Sequence, residues 1–259
     1  MNLSNPTPHD ARLGGGNAAA RIGSKWGMGL VNKWVASCGE AIADLRHGAA
    51  VMVGGFGSAG LPDGLIAAVL AHGARDLTVI SNNAGYDGEG VASLIEGGRI
   101  RKLVCSYPLT AGATAFRDAY RRGEVELELV AQGTLVERIR CAGAGLGGFY
   151  CPITAGTILA EGKHTRELNG VQHVLELPLH ADFALIRGRH ADRLGNLDYQ
   201  LAGRNFNPIM ATAARVVVAE VDAMVEAGAM HPEHVVTPGI FVHRVVTASA
   251  SKQHARSQP

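Results

Sequence analysis

Residues 49–62 read Ala49-Ala50-Val51-Met52-Val53-Gly54-Gly55-Phe56-Gly57-Ser58-Ala59-Gly60-Leu61-Pro62. An apolar run, Ala49–Val53, ends abruptly in glycines. A run this short and this apolar reads as a strand buried on both faces. Pro62 then opens a helix through Ala71, and Gly73 closes it; proline in the first turn and glycine just past the end is the expected asymmetry. Strand, glycine turn and helix in that order are the unit from which parallel α/β sheets are built.

The same alternation runs outward from this unit. Trp34–Arg46 has helical apolar spacing at Val35, Cys38, Ile42 and Leu45, which predicts a helix stopping before Gly48. Downstream, strands are expected at Leu77–Ser81 and Lys102–Ser106, with helices at Val91–Glu96, Ala113–Arg122 and Leu135–Cys141. Val125–Val130 alternates apolar and acidic residues, as a strand near a sheet edge does. From Ala142 the chain is glycine-rich, and later apolar runs fall at 171–177, 183–187, 216–221 and 240–247, with one helix near 208–215. The fold expected is a single open-sheet α/β domain with a more β-rich second half. Its span is 28–248, between an N-terminal extension (1–27) and a tail (249–259), both read as disordered from their polar composition. Met28 is a candidate natural start.

Composition narrows the function. The net charge is +1, which gives no field for nucleic acid or an acidic membrane. No run reaches the roughly 18 apolar residues of a spanning helix, and the N-terminus lacks a signal-peptide core. The four cysteines, Cys38, Cys105, Cys141 and Cys151, have no metal-like spacing and read as reduced thiols of a cytoplasmic protein.

Gly55–Gly60 matches G-x-G-x-x-G between a strand and a helix. A dinucleotide site also needs an acidic residue at the end of the second strand. Here that strand ends in Ser81-Asn82-Asn83, so a nicotinamide or flavin reading weakens. Two readings of the loop remain: a turn that only packs closely, or a backbone cradle for an anionic ligand at a helix N-terminus. Asn82 and Asn83 read equally as turn formers. Glu89 and Glu161 are candidate carboxylates, or solvated turn residues. His180 with Asp182, and His190 with Asp192, have spacing that places each pair on one strand face, but no third metal ligand accompanies them.

Several segments together resemble the A chain of the two-chain class I 3-oxoacid CoA-transferases. They are Val51–Pro62; Leu77–Gly85; Gln132–Arg140 with the glycine-rich Gly143–Phe149 that follows; Ala160–Lys163; Ala181–Leu185; Gly195-Asn196-Leu197; Arg204-Asn205-Phe206; and Thr237–Ile240. His47 before Gly48 and Ala131 before Gln132 depart from the family pattern. Within the family, Ser58–Pro62, Cys105-Ser106-Tyr107-Pro108 and Leu177–Phe183 are most similar to members that act on 3-oxoadipate. The alternatives are an acetoacetate-type transferase chain or a non-catalytic ligand-sensing α/β module.

The resemblance implies transfer of CoA from succinyl-CoA to a 3-oxo acid through a glutamyl-CoA thioester. CoA and succinyl-CoA would be substrates, with no cofactor and no metal. The nucleophilic glutamate is implied on a partner B subunit, in an A2B2 assembly, because this chain carries Asn82 in the corresponding turn. Asn82 and Gln132 are implied as supporting catalytic residues, with the Gln132 amide a candidate oxyanion donor. Gly54, Gly55, Phe56, Gly57, Ser58, Ala59 and Gly60 are implied as the CoA-binding stretch.

Overall fold

Along β1 (Ala50–Val53), Val51 and Val53 face one hydrophobic cluster and Met52 the other. A strand whose alternate side chains are all apolar needs a layer on each face, and the chain supplies both. The computed structural model describes residues 31–248, and those from Lys33 onward form one compact unit. The expected extension (1–27) and tail (249–259) lie outside the described residues.

The central sheet has seven strands in the order β10-β9-β8-β1-β2-β3-β4. The remaining members are β2 (Leu77–Ile80), β3 (Ile100–Cys105), β4 (Glu126–Leu129), β8 (Ala181–Asp192), β9 (Ala214–Val225) and β10 (Arg244–Thr247). Every pairing between them is parallel. One face is covered by α1 (Cys38–Ala41), α2 (Asp63–His72), α3 (Gly90–Glu96) and α4 (Ala115–Arg121), through Ile42, Leu65, Val69, Leu94 and Phe116. The other is covered by α5 (Gln132–Gly143) and α6 (Asn207–Ala211), through Leu135, Ile139 and Met210. A separate antiparallel sheet, β5 (Phe149–Cys151), β7 (Val171–Glu176) and β6 (Thr165–Leu168), accounts for the β-rich second half. β4 is an edge strand, as its alternation predicts. No helix among the described residues is long and apolar enough to cross a membrane.

One expected element is corrected. The helix read over Trp34–Arg46 is only the four-residue α1. Trp34 is instead bridged to Val245, and the Val35 amide donates to the Val245 carbonyl at 2.8 Å. Ser37 then caps α1 by accepting from the Glu40 amide at 3.1 Å. Ile42 and Leu45 are buried as their spacing required and Val35 and Cys38 are half-buried, but sheet hydrogen bonds claim the first turn of the expected helix.

The start of α2 has no side-chain cap of its own, because Pro62 stands at the cap position. Glu220 on β9 supplies one: its Oε2 accepts from the Leu65 amide at 2.9 Å. Glu220 is 2% exposed and is paired with Arg187 on β8, which also pairs with Asp222. Burial nevertheless pushes the Glu220 carboxyl above its ordinary 4.5, with Arg187 offsetting part of that rise. A carboxyl whose native pKa is raised binds its proton more tightly folded than unfolded. Its stabilising contribution is therefore complete below pH 4.5 and is lost as pH rises through the native value. Arg187→Met should cost about 3–5 kcal/mol, the cost of leaving a buried charge without its partner. The loss should shrink at acid pH and in the Arg187→Met, Glu220→Gln double variant. Urea unfolding from acid to neutral pH measures each of these.

Candidate functional site

The turns that follow β1, β2 and β4 lie at the carboxyl ends of parallel strands, where open α/β sheets receive ligands. The turn after β1 is the glycine loop. The Phe56 amide donates to the Ala59 carbonyl and the Ala59 amide to the Phe56 carbonyl, both at 3.0 Å, which closes a tight hairpin. Gly55, Gly57 and Gly60 all have positive φ.

Two asparagines hold this hairpin from outside. Asn205 Oδ1 accepts from the Gly55 amide at 3.1 Å, and its Nδ2 donates to the Ala59 carbonyl at 3.1 Å. Asn207 is 0% exposed; its Nδ2 donates to the carbonyls of Gly60 at 3.1 Å and Gly203 at 2.8 Å, and its Oδ1 accepts from the Arg187 amide at 2.9 Å. A Cβ on Gly54 would stand 1.8 Å from Asn207 Oδ1, and one on Gly60 would stand 2.4 Å from the Gly203 carbonyl. Both glycines therefore serve packing, while the tip, Phe56–Ser58, is left to the cleft and solvent. The segment Arg204-Asn205-Phe206 is visible in the sequence, but its role in clamping the loop depends on contacts about 150 residues apart and has no local signal.

The turn after β2 carries Ser81, Asn82 and Asn83, all buried. Asn82 Oδ1 accepts from Gln132 Nε2 at 2.7 Å and from Ser106 Oγ at 2.9 Å. The Asn82 carbonyl accepts from the amides of Ser106 and Tyr107, each at 3.1 Å. Asn82 and Gln132, widely separated in sequence, are thus joined directly, and Ser106, the residue following β3, completes the set. Gln132 is the first residue of α5, so its amide belongs to a helix N-terminus, where donors have no intrahelical partner.

Gln132, Phe56, Asn205 and Phe206 line a cleft of about 780 Å³ whose other walls include Val136, Phe149, Ile153 and Ile209. The volume falls within the range of small-molecule sites. Ser58, Ala59 and Gly60 line a second cavity of about 1280 Å³ on the side of Arg187 and Glu220. The glycine loop thus stands between two cavities, with Phe56 turned to one and Ser58–Gly60 to the other.

Other candidates fall elsewhere. Glu89 and Glu161 are exposed, at the start of α3 and after a 3-10 turn, and neither lines the cleft. Asp182 Oδ2 accepts from the Ala50 amide at 2.9 Å. His190 pairs with Asp198 at 2.9 Å, while Asp192 accepts from the amides of Leu194 and Asn196. The two His–Asp spacings therefore serve strand ends and turns. Burial raises the Cys105 thiol to about 12, which leaves it inert at neutral pH.

A parallel open sheet with paired amides and a clamped glycine hairpin at its carboxyl edge is the architecture of an α/β chain with its candidate site where such sheets receive ligands. The Coenzyme A transferase family model matches residues 35–248, and the chain belongs to that family. It is 53% identical over 222 residues to the A subunit of 3-oxoadipate CoA-transferase from Pseudomonas putida, covering 86% of this chain and 96% of that protein. It is 46% identical over 226 residues to the protein of the same name from Acinetobacter baylyi, covering 87% and 99%. Its fold superposes on an acyl-CoA transferase of Escherichia coli O157:H7 (YdiF), solved as a thioester complex with CoA, with a TM-score of 0.74 and 21% identity. That match covers 84% of this chain but only 47% of the longer one.

Gly54→Ala should destabilise by about 3 kcal/mol, the upper end of overpacking costs. Gly57→Ala meets no atom within 4 Å and faces only its φ of +60°, a penalty of about 1 kcal/mol. Thermal melting of both variants measures the contrast.

Proposed function

We propose that this chain is the A subunit of a two-subunit enzyme that moves CoA from succinyl-CoA to a 3-oxo acid, with 3-oxoadipate as the acceptor. The observation that carries the reading is the Asn82–Gln132 hydrogen bond at the carboxyl edge of the sheet. The site is built and buried, yet its central group is an amide. An amide cannot form the acyl anhydride that the reaction requires, so the attacking carboxylate comes from a B subunit.

The chemistry then divides between two chains. A glutamate carboxylate of the partner attacks the thioester carbonyl, the C–S bond breaks, and CoA leaves as thiolate with a mixed anhydride behind it. The thiolate attacks the glutamyl carbonyl and releases succinate, leaving a glutamyl-CoA thioester. The 3-oxo acid carboxylate attacks that thioester, and the same two steps run in reverse order. Each attack generates a tetrahedral oxyanion, which the Gln132 amide at the head of α5 is positioned to receive. Asn82, fixed by Gln132 and Ser106, orients the partner carboxylate or the acyl oxygen. The glycine hairpin presents close-approach backbone to CoA. CoA and its esters enter as substrates, and no cofactor is required.

The relatives named as A subunits support a B partner, and we take the assembly to be A2B2. Four free thiols among the described residues fit a reducing cytoplasm.

The chain alone should turn over no succinyl-CoA, and the mixture with its B subunit should. Borohydride reduces the glutamyl-CoA thioester to an alcohol with loss of CoA thiolate, so peptide mapping of the treated enzyme should find the reduced glutamyl side chain on the partner; a reduced side chain on this chain would overturn the division of labour. Asn82→Ala should lower kcat of the complex by about 100-fold, the scale of losing one oriented oxyanion-site group. Glu89→Gln and Glu161→Gln should leave turnover unchanged.

A further inference from the structure

The cleft that holds Gln132 is walled mainly by apolar side chains, and among its described lining residues Arg204 is the one cation. Its one carboxylate, Glu137, is already paired with Arg140 at 2.7 Å. Arg204 has no carboxylate within ion-pair distance among the described residues. Its backbone, by contrast, is held on both sides. The Arg204 amide donates to the Leu201 carbonyl at 3.2 Å, and the Arg204 carbonyl accepts from the Asn207 amide at 3.1 Å. The next residue, Asn205, is bonded to Gly55, Ala59 and Ala202. Leu201, which opens this turn, sits at φ +47° with its side chain 89% exposed. A leucine held left-handed and out in water gains nothing for the core, and such strain gathers where a turn must present a group.

The cleft's one lining cation therefore stands on a backbone held in place, with its side chain exposed to whatever enters. Arginine meets a carboxylate through two parallel N–H donors. The geometry points to Arg204 as the residue that binds the free, non-reacting carboxylate of a dicarboxylic acyl group. The reacting end lies toward Gln132 and Asn82, and the methylenes lie against Phe149, Ile153 and Ile209. Succinyl-CoA and a 3-oxo diacid share this feature, and a monocarboxylic 3-oxo acid lacks it. The assignment rests on the two-chain transferase reading above and adds the part of the site that selects acids charged at both ends.

Adipate and hexanoate have the same length and differ in one carboxylate, so they are the probes. Calorimetry on the complex with the B subunit should show adipate binding weakened about 10- to 100-fold by Arg204→Gln, the range a hydrogen-bonded charge carries. Hexanoate and free CoA should bind as before, and Arg204→Lys should recover part of the loss. In turnover, kcat/KM for 3-oxoadipate should fall by a similar factor, with 3-oxohexanoate unchanged. An equal loss for both acids, no loss, no adipate binding by the unaltered complex, or a weakened CoA affinity would each overturn the assignment. A complex that binds adipate through Arg204 but transfers no CoA would instead sink the proposed function and leave the carboxylate anchor standing.

Discussion

The buried amide of Asn207 is the contact on which the carboxyl edge of the sheet depends. It reaches the glycine hairpin after β1, the turn at Gly203 and the backbone of Arg187 on β8 at once. A buried amide is costly unless its donors and acceptor are all used, and here they are. The same compactness explains the glycines, because a methyl group at position 54 would overlap the Asn207 oxygen. Hairpin, cleft and the start of α6 are therefore one mechanical unit.

Behind this unit sits a second constraint, of charge. Pro62 leaves α2 without a cap, and Glu220 crosses from β9 to provide it, steadied by Arg187. The helix that follows the glycine hairpin is thus fixed from two strands away, through Arg187, whose amide also donates to Asn207. Two polar contacts that meet at Arg187 hold the two ends of one loop, Gly54–Asp63. Pre-organisation of this kind leaves little of the loop still to be ordered on binding.

Much of this was legible in the sequence. Val51–Pro62 read correctly as strand, turn and helix because apolar periodicity, proline and glycine all agree there. The edge position of β4 was legible from its alternating glutamates. Asn82 and Gln132 were legible only through resemblance, since nothing local ties residues so far apart. Asn205, Asn207 and Glu220 were not legible as clamps, because a buried polar residue looks like any other until its distant partner is known. The first helix misled for a physical reason: Val35, Cys38, Ile42 and Leu45 have helical spacing, but Trp34 and Val35 are taken into the sheet beside β10.

The edge strand β4 has one further consequence. Among the described residues no strand pairs with its outer rim, and another copy of the chain would meet backbone donors and acceptors there. Glu126 and Glu128 stand on that rim, with Glu128 held by Lys102 at 2.6 Å and Arg138 at 2.8 Å. Two such strands laid side by side would bring like charges together and would have to break those pairs. The strand thereby discourages the sheet from growing edge to edge into a fibre.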